Sequence, residues 1–220
     1  CRNFTRFDLY FVFVLCSIRI MLFDDTFKTI SKPSEGIFSD KGSRFFAYLY
    51  PIQSEAGIKD IIAELKSFHP KASHHCWALR LSMDRSIFRI NDDGEPSGTA
   101  GRPILNTLLS FDLTNVLAVV VRYFGGTLLG IPGLINAYKT TTIEAIQASE
   151  IIVKTVDLVF KIEFSHSTMN EVMKVVKEEN LKIFNQSFDL NCSFNLEIRQ
   201  SQVNKVINRL EKIEGLIWKA

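Results

Sequence analysis

Val116-Leu117-Ala118-Val119-Val120-Val121-Arg122-Tyr123-Phe124-Gly125-Gly126 is the stretch on which the fold turns. A continuous apolar, largely β-branched run with no polar alternation is the signature of a strand buried on both faces at the centre of a sheet. Arg122 ends that run, and the Gly125-Gly126 pair breaks the strand. An arginine leaving a buried strand needs a carboxylate or a phosphate. The strand therefore predicts both a covered sheet and an acidic or anionic partner at its exit.

Downstream, Leu134 to Ala148 reads as a long, mostly buried helix. Upstream, Thr99 is a good N-cap for a helix running to about Phe111. Before it, Asn91-Asp92-Asp93-Gly94-Glu95-Pro96-Ser97-Gly98 has the composition of a turn-rich loop. His75 to Leu81 and Ser86 to Ile90 read as paired strands. Ile58, Ile61, Ile62, Leu65 and Phe68 mark a one-sided helix over 55–68, with Ser54 as its N-cap and Pro70 as its stop. Residues 26–31 and 34–40 are short strands around Pro33, and Phe45 to Tyr50 is a stronger, aromatic one.

From Ile151 the pattern changes to strand (152–163), helix (167–179), strand (181–189), strand (192–199), helix (201–211) and strand (213–218). This is the βαββαβ order of ferredoxin-like domains, and about 70 residues can just support a core of their own. Val203, Val206, Ile207 and Leu210 form the apolar stripe of its second helix. The expected architecture is α+β in two domains, 21–150 and 151–220. No Gly/Ser linker separates them, so they are expected to abut. Leu9 to Ile18 is an apolar run too short to span a bilayer as a helix. Residues 1–20 are read as a doubtful extension, with Met21 as the natural start.

The formal charge is +2, with 46% hydrophobic and 23% charged residues. This is ordinary globular composition, without the broad basic face that usually marks nucleic-acid binding. Cys1, Cys16, Cys76 and Cys192 form no C-x-x-C pair, which argues against a zinc ribbon or a disulfide framework and for reduced thiols in the cytoplasm.

Several groups have chemical potential. Asp92, Asp93 and Glu95 can hold a hard cation or shift one another's ionisation, or they can simply make the turn and cap the next helix. His74 and His75 are adjacent on a strand and point to opposite faces. Cys76 lies on the side of His74. Gly98-Thr99-Ala100-Gly101-Arg102 and the Gly125-Gly126 segment each precede a helix, where anions are attracted to free N–H groups. Arg102 and Arg122 can fork onto such an anion. The glycine spacing matches neither a P-loop nor a dinucleotide fingerprint. Tyr123 and Phe124 can stack on a base, or serve the core.

Two blocks carry a family resemblance. One is Asp92-Asp93-Gly94-Glu95-Pro96-Ser97-Gly98-Thr99-Ala100-Gly101-Arg102-Pro103. The other is Val121-Arg122-Tyr123-Phe124-Gly125-Gly126-Thr127-Leu128-Leu129-Gly130, followed by Gly133-Leu134 and Ala137-Tyr138. Weaker blocks are Lys41-Gly42-Ser43-Arg44-Phe45 and Ala72-Ser73-His74-His75-Cys76-Trp77-Ala78. Together they resemble the YigZ/IMPACT family. Ile131-Pro132 departs from the small residue pair usual there.

The resemblance implies a first domain with the left-handed βαβ-type fold of the second domain of a small-subunit ribosomal protein, also seen in domain four of elongation factor G. It implies a second domain like elongation factor G domain five. Eukaryotic members affect translation initiation by binding the activator of the starvation-response kinase. They do so through an additional N-terminal domain outside the resemblance, so that partner is not carried over.

The expected function is a non-enzymatic binding module for RNA, the ribosome or another translation component. The alternative is a small hydrolase or other enzyme with a metal or phosphate site in the same cleft. No complete nucleophile–base–orienter set is visible, and no metal or cofactor is called for. The expected ligand-binding residues are Arg44, His74, His75, Asp92, Asp93, Glu95, Thr99, Arg102, Arg122, Tyr123, Phe124, Gly125 and Gly126. The Asp92 loop and the Arg122 strand end are expected to line one cleft. Because paired glycines leave nothing to cover the guanidinium, Arg122 is expected to be half-exposed, with its loss costing about 1 kcal/mol or less.

Overall fold

The computed structural model describes residues 25–82 and 86–219. The expectations about residues 1–20 and Met21 lie outside the described residues. The described chain forms two compact units, one over Phe27–Lys154, the other over Thr155–Lys219 with Asp25 and Thr26.

The first unit is built on β2 (Ser34–Asp40), β3 (Ser43–Pro51), β4 (His74–Leu81), β5 (Ile87–Asn91) and β6 (Val116–Tyr123), in the order β2-β3-β6-β4-β5. Every neighbouring pair is antiparallel. β2 and β3 join through Lys41–Gly42, both at positive φ, the primed turn that suits hairpin twist. The apolar run becomes β6 at the centre, and its residues 116–122 are all buried. The two faces divide by parity. Val116, Ala118 and Val120 join a core with Phe45, Ala47, Leu49, Cys76 and Ala78. That core is completed by α2 (Gly101–Ser110) and α3 (Gly130–Gln147). Leu117, Val119 and Val121 face the opposite core, which takes Ile58 and Leu65 of α1 (Ile58–Phe68). Helices therefore cover both faces, which is why β6 carries no polar alternation.

β1 (Thr26–Ile30) pairs with β7 (Ile151–Thr155), and the chain turns at Val156 into β8 (Asp157–Phe164). The single strand expected over 152–163 is thus two strands in two sheets.

The second unit has the order β8, α4 (Met169–Glu178), β9 (Lys182–Phe188), β10 (Cys192–Arg199), α5 (Val203–Leu210), β11 (Ile217–Lys219). Its sheet runs β11-β8-β10-β9, antiparallel throughout. Phe160, Ile162 and Phe164 alternate with Cys192, Phe194, Leu196 and Ile198 on the face that packs Val172, Val175 and Val176 of α4 and the α5 stripe. This is the expected ferredoxin-like arrangement, with both helices on one face. The last strand is shorter than expected because Ile213 is drawn into the core and the turn through Gly215, at φ 77°, takes up the preceding residues.

Helix starts differ from the reading of local signals. α1 begins at Ile58 behind Gly57, which takes a left-handed conformation at φ 82°. Ser54 Oγ accepts from the Ala56 amide, ahead of the helix. α3 begins at Gly130, a turn before Leu134, with Pro132 in its first turn, where proline costs no backbone hydrogen bond. No helix among the described residues is long and apolar enough to cross a membrane.

Candidate functional site

The site starts from strand register. Arg122, the last fully buried residue of β6, lies opposite Phe45 of β3 on one side and His74 of β4 on the other. All three side chains emerge on the α2/α3 face. Arg122 is 5% exposed and Glu95 8%, and Arg122 Nη1 donates to Glu95 Oε1 at 2.6 Å. The same carboxylate oxygen accepts from the Tyr138 hydroxyl at 2.8 Å. The guanidinium lies 5.6 Å from the ring centres of both Phe45 and Phe124. Among the described residues its Nε has no hydrogen-bond partner.

The expected half-exposed arginine is therefore corrected. The paired glycines do not cover Arg122, but two aromatic rings do, and Glu95 holds its charge. Behind the pair, Cys76 Sγ lies 3.3 Å from the Tyr138 hydroxyl and 3.0 Å from the Asp92 carbonyl. Burial pushes the Cys76 thiol and the Tyr138 phenol far above their ordinary values. Both stay neutral, and Cys76 is unsuited to act as a thiolate nucleophile.

In front of the pair is a cleft of about 490 Å³ lined by Ser73, His74, Glu95, Pro96, Arg122, Phe124 and the segment Leu128–Ile131 with Leu134. His74 Nδ1 donates to the Asp93 carbonyl at 2.8 Å, and its Nε2 stands 3.9 Å from Glu95 Oε1. The floor is thus a neutralised ion pair beside an imidazole, and the rim is exposed and apolar through Phe124, Leu128 and Ile131. Such a mixture, an apolar wall with a few convergent polar groups, is the usual make-up of a ligand cleft.

The two signature blocks do converge, but only through some of their residues. Of those expected to bind, His74, Glu95, Arg122 and Phe124 line the cleft. Asp92 does not. Its carboxylate accepts from the amides of Gly98, Ala100 and Gly101 at 2.9, 3.1 and 2.8 Å. It therefore caps α2 from outside the helix, and Thr99, expected to be the cap, instead donates its hydroxyl to the Pro96 carbonyl. Asp93, at φ 41°, turns away and accepts from the His75 amide at 2.7 Å. Lys66 of α1 lies 3.6 Å from its other oxygen.

His75 faces α1, with its imidazole pKa lowered by burial. Tyr123 also lies on the α1 side, its hydroxyl bonded to His69 Nδ1 at 2.8 Å and its ring 5.6 Å from the Arg44 guanidinium. Arg44, His75 and Tyr123 therefore belong to the other face of the sheet. Arg102 lies in a separate groove. Gly125 serves backbone approach, since a Cβ there would sit 1.9 Å from the Gly42 carbonyl carbon, and Gly126 holds φ 83°. Sequence reading missed Tyr138, although a buried glutamate needs a second donor and Tyr138 stood in a quoted block. It also missed Leu128 and Ile131, which carried no polar signal.

Replacing Asp92 by alanine removes all three cap acceptors and is expected to cost about 1–2 kcal/mol, against a few tenths for Thr99→Ser. A urea melt compares them, and equal losses for Asp92→Ala and Thr99→Ser would refute the capping assignment. Among the described residues no group of three or more His, Cys, Asp or Glu side chains is placed to hold a metal ion.

The Impact N-terminal domain family matches residues 41–146, which contain the whole cleft. An IMPACT family member of Haemophilus influenzae is 34% identical over 178 residues, covering 80% of this chain and 86% of that protein. A solved structure titled as a hypothetical protein superposes with TM-score 0.68 at 26% identity, covering 90% of this chain and 98% of the other. A structure titled as the two-domain translational regulator Yih1 is 28% identical, with TM-score 0.33, over 58% of this chain and 48% of its own. By the extent of these matches, the chain belongs to the IMPACT family.

Proposed function

We propose that this protein is a cytoplasmic, non-enzymatic binding module that acts in translation regulation by docking a component of the translation machinery, RNA or the ribosome, in the Arg122 cleft. The observation that carries the reading is the cleft itself. A buried Arg122–Glu95 pair, braced by Tyr138 and flanked by His74, forms a preorganised floor under an exposed apolar rim. Family membership supports the translational setting, since the resemblance places eukaryotic members in the control of initiation. The enzymatic alternative gains no nucleophile from Cys76, which is fully buried and neutral.

Leu128 is 82% exposed at the rim, so changing it tests binding without disturbing the fold. Leu128→Asp should weaken co-sedimentation with ribosomes about tenfold, equivalent to ~1.4 kcal/mol. Its urea melt should stay within about 0.5 kcal/mol of wild type. Undiminished association of the variant would refute this use of the cleft.

A further inference from the structure

A second concavity, about 390 Å³, lies between α2 and α3 and is lined by Gly98, Arg102, Pro103, Asn106, Thr107, Ser110, Ile135 and Lys139. Arg102, Asn106 and Ser110 recur at four-residue steps and so share one face of α2. Ile135 and Lys139 face them with the same spacing on α3. No carboxylate lines the groove. Among the described residues neither Arg102 nor Lys139 forms an ion pair, whereas some exposed cations elsewhere in the chain are matched, such as Lys205 with Glu179 and Lys161 with Glu163. The Thr107 and Ser110 hydroxyls donate to helix carbonyls, so what complements a phosphodiester in this groove is its two uncompensated cations with the Asn106 amide beside them.

The groove adjoins the Arg122 cleft. Pro96 lines the cleft and Gly98 the groove, two residues apart and so within about 7 Å along the chain. Leu134 and Ile135 divide in the same way on α3. The cleft offers the half-exposed ring of Phe124 and no uncompensated cation, because Glu95 already neutralises Arg122. The groove offers cations and no aromatic ring. A flat apolar site beside a cationic one is the pairing that single-stranded nucleic acids use, with bases on a ring and backbone in a basic track.

From this we infer that the α2–α3 groove binds the phosphate backbone of single-stranded RNA whose neighbouring base enters the Arg122 cleft. The inference rests on the proposed function and names its ligand. An acidic peptide would find the same cations but has no use for the ring beside them.

The test is fluorescence anisotropy of a labelled oligouridine of about twelve nucleotides, titrated with the full chain at several salt concentrations. Wild type should bind, with affinity falling as salt rises. The double variant Arg102→Glu with Lys139→Glu should lose at least tenfold in affinity, and its log–log salt slope should fall by about 1.4, near 0.7 for each lost phosphate contact. The conservative pair Arg102→Lys with Lys139→Arg should retain the slope. Three results would overturn the inference: no binding of the oligonucleotide by wild type at low salt, an unchanged slope in the charge-reversed variant, or stronger binding of polyglutamate than of oligouridine. If ribosome co-sedimentation falls for Leu128→Asp but not for the charge-reversed pair, the cleft reading stands and the phosphate groove alone is refuted.

Discussion

Replacing Arg122 by alanine should cost about 3–5 kcal/mol, because it leaves the largely buried Glu95 carboxylate without its cation. Glu95 would keep the Tyr138 hydroxyl as donor but lose the 2.6 Å contact with the guanidinium. The two aromatic rings over Arg122 would also lose the cation they enclose. The size of the loss reflects the unpaired charge more than the worth of the pair. Neutralising both partners should therefore recover much of it, and Arg122→Met combined with Glu95→Gln should be more stable than Arg122→Met alone. A double-mutant cycle by urea denaturation measures this directly. An Arg122→Ala protein within about 1 kcal/mol of wild type would show that water from the cleft replaces the guanidinium at Glu95, and the assignment of a buried, mutually dependent pair would fail. Since this substitution disturbs the fold, Arg122 variants are poor probes of binding, and the exposed rim is the better place to test function.

The second large effect belongs to the other unit. Val206 is fully buried in the α5 stripe, among Val203, Ile207 and Leu210 and against the β8–β10 face. Val206→Asp removes an apolar side chain from that core and introduces a carboxylate without a partner, with an expected cost of at least about 3 kcal/mol. A unit of this size has little stability to spare, so the transition of the second unit should move to much lower urea or vanish. The chain's two tryptophans make this readable, since Trp77 lies in β4 and Trp218 in β11. In a Trp77→Phe background the fluorescence reports the second unit alone. Asn204→Asp, on the exposed side of the same helix, should stay within about 0.5 kcal/mol of its parent. Equal stability of the two variants would mean that the helix face is misassigned.

Much of this was legible in the sequence for local reasons. The Val116–Val121 run identified the central strand because burial on both faces removes polar alternation, and the α5 stripe was visible because helical periodicity is short-range. The opposition of His74 and His75 followed from the two-residue strand repeat, and the same rule separates Arg122 from Tyr123, which the expected site had kept together. What was not legible depends on distant partners. Thr99 looked like the cap of α2, yet the cap is Asp92, which reaches across a turned loop that only the folded β4 and β5 hold in place. One of the two rings over Arg122 is Phe124, which the strand repeat puts on the same face, but the other is Phe45, 77 positions earlier in the chain, and no local pattern announces it. Asp93 was grouped with Asp92 and Glu95 by proximity, but its positive φ sends the side chain to the other face of the sheet.

The close approach of Gly125 to Gly42 has a consequence for how this cleft can be retuned. A Cβ at Gly125 would overlap the Gly42 carbonyl carbon and the Ser43 amide nitrogen, at 1.9 and 2.2 Å, so the main chain leaving β6 rests directly on the β2–β3 turn. The Ser43 hydroxyl fastens the two together by accepting from the Gly125 amide at 3.1 Å. The height of the rim that begins at Phe124 is thus set by main chain against main chain, and that spacing admits no gradation: any larger residue at 125 displaces the turn. Ligand preference at this rim is therefore adjusted by exchanging the side chains planted on it, at 124, 128 and 131, while the frame beneath them stays fixed. An engineer seeking a new specificity should randomise those three positions and leave the glycine seam alone.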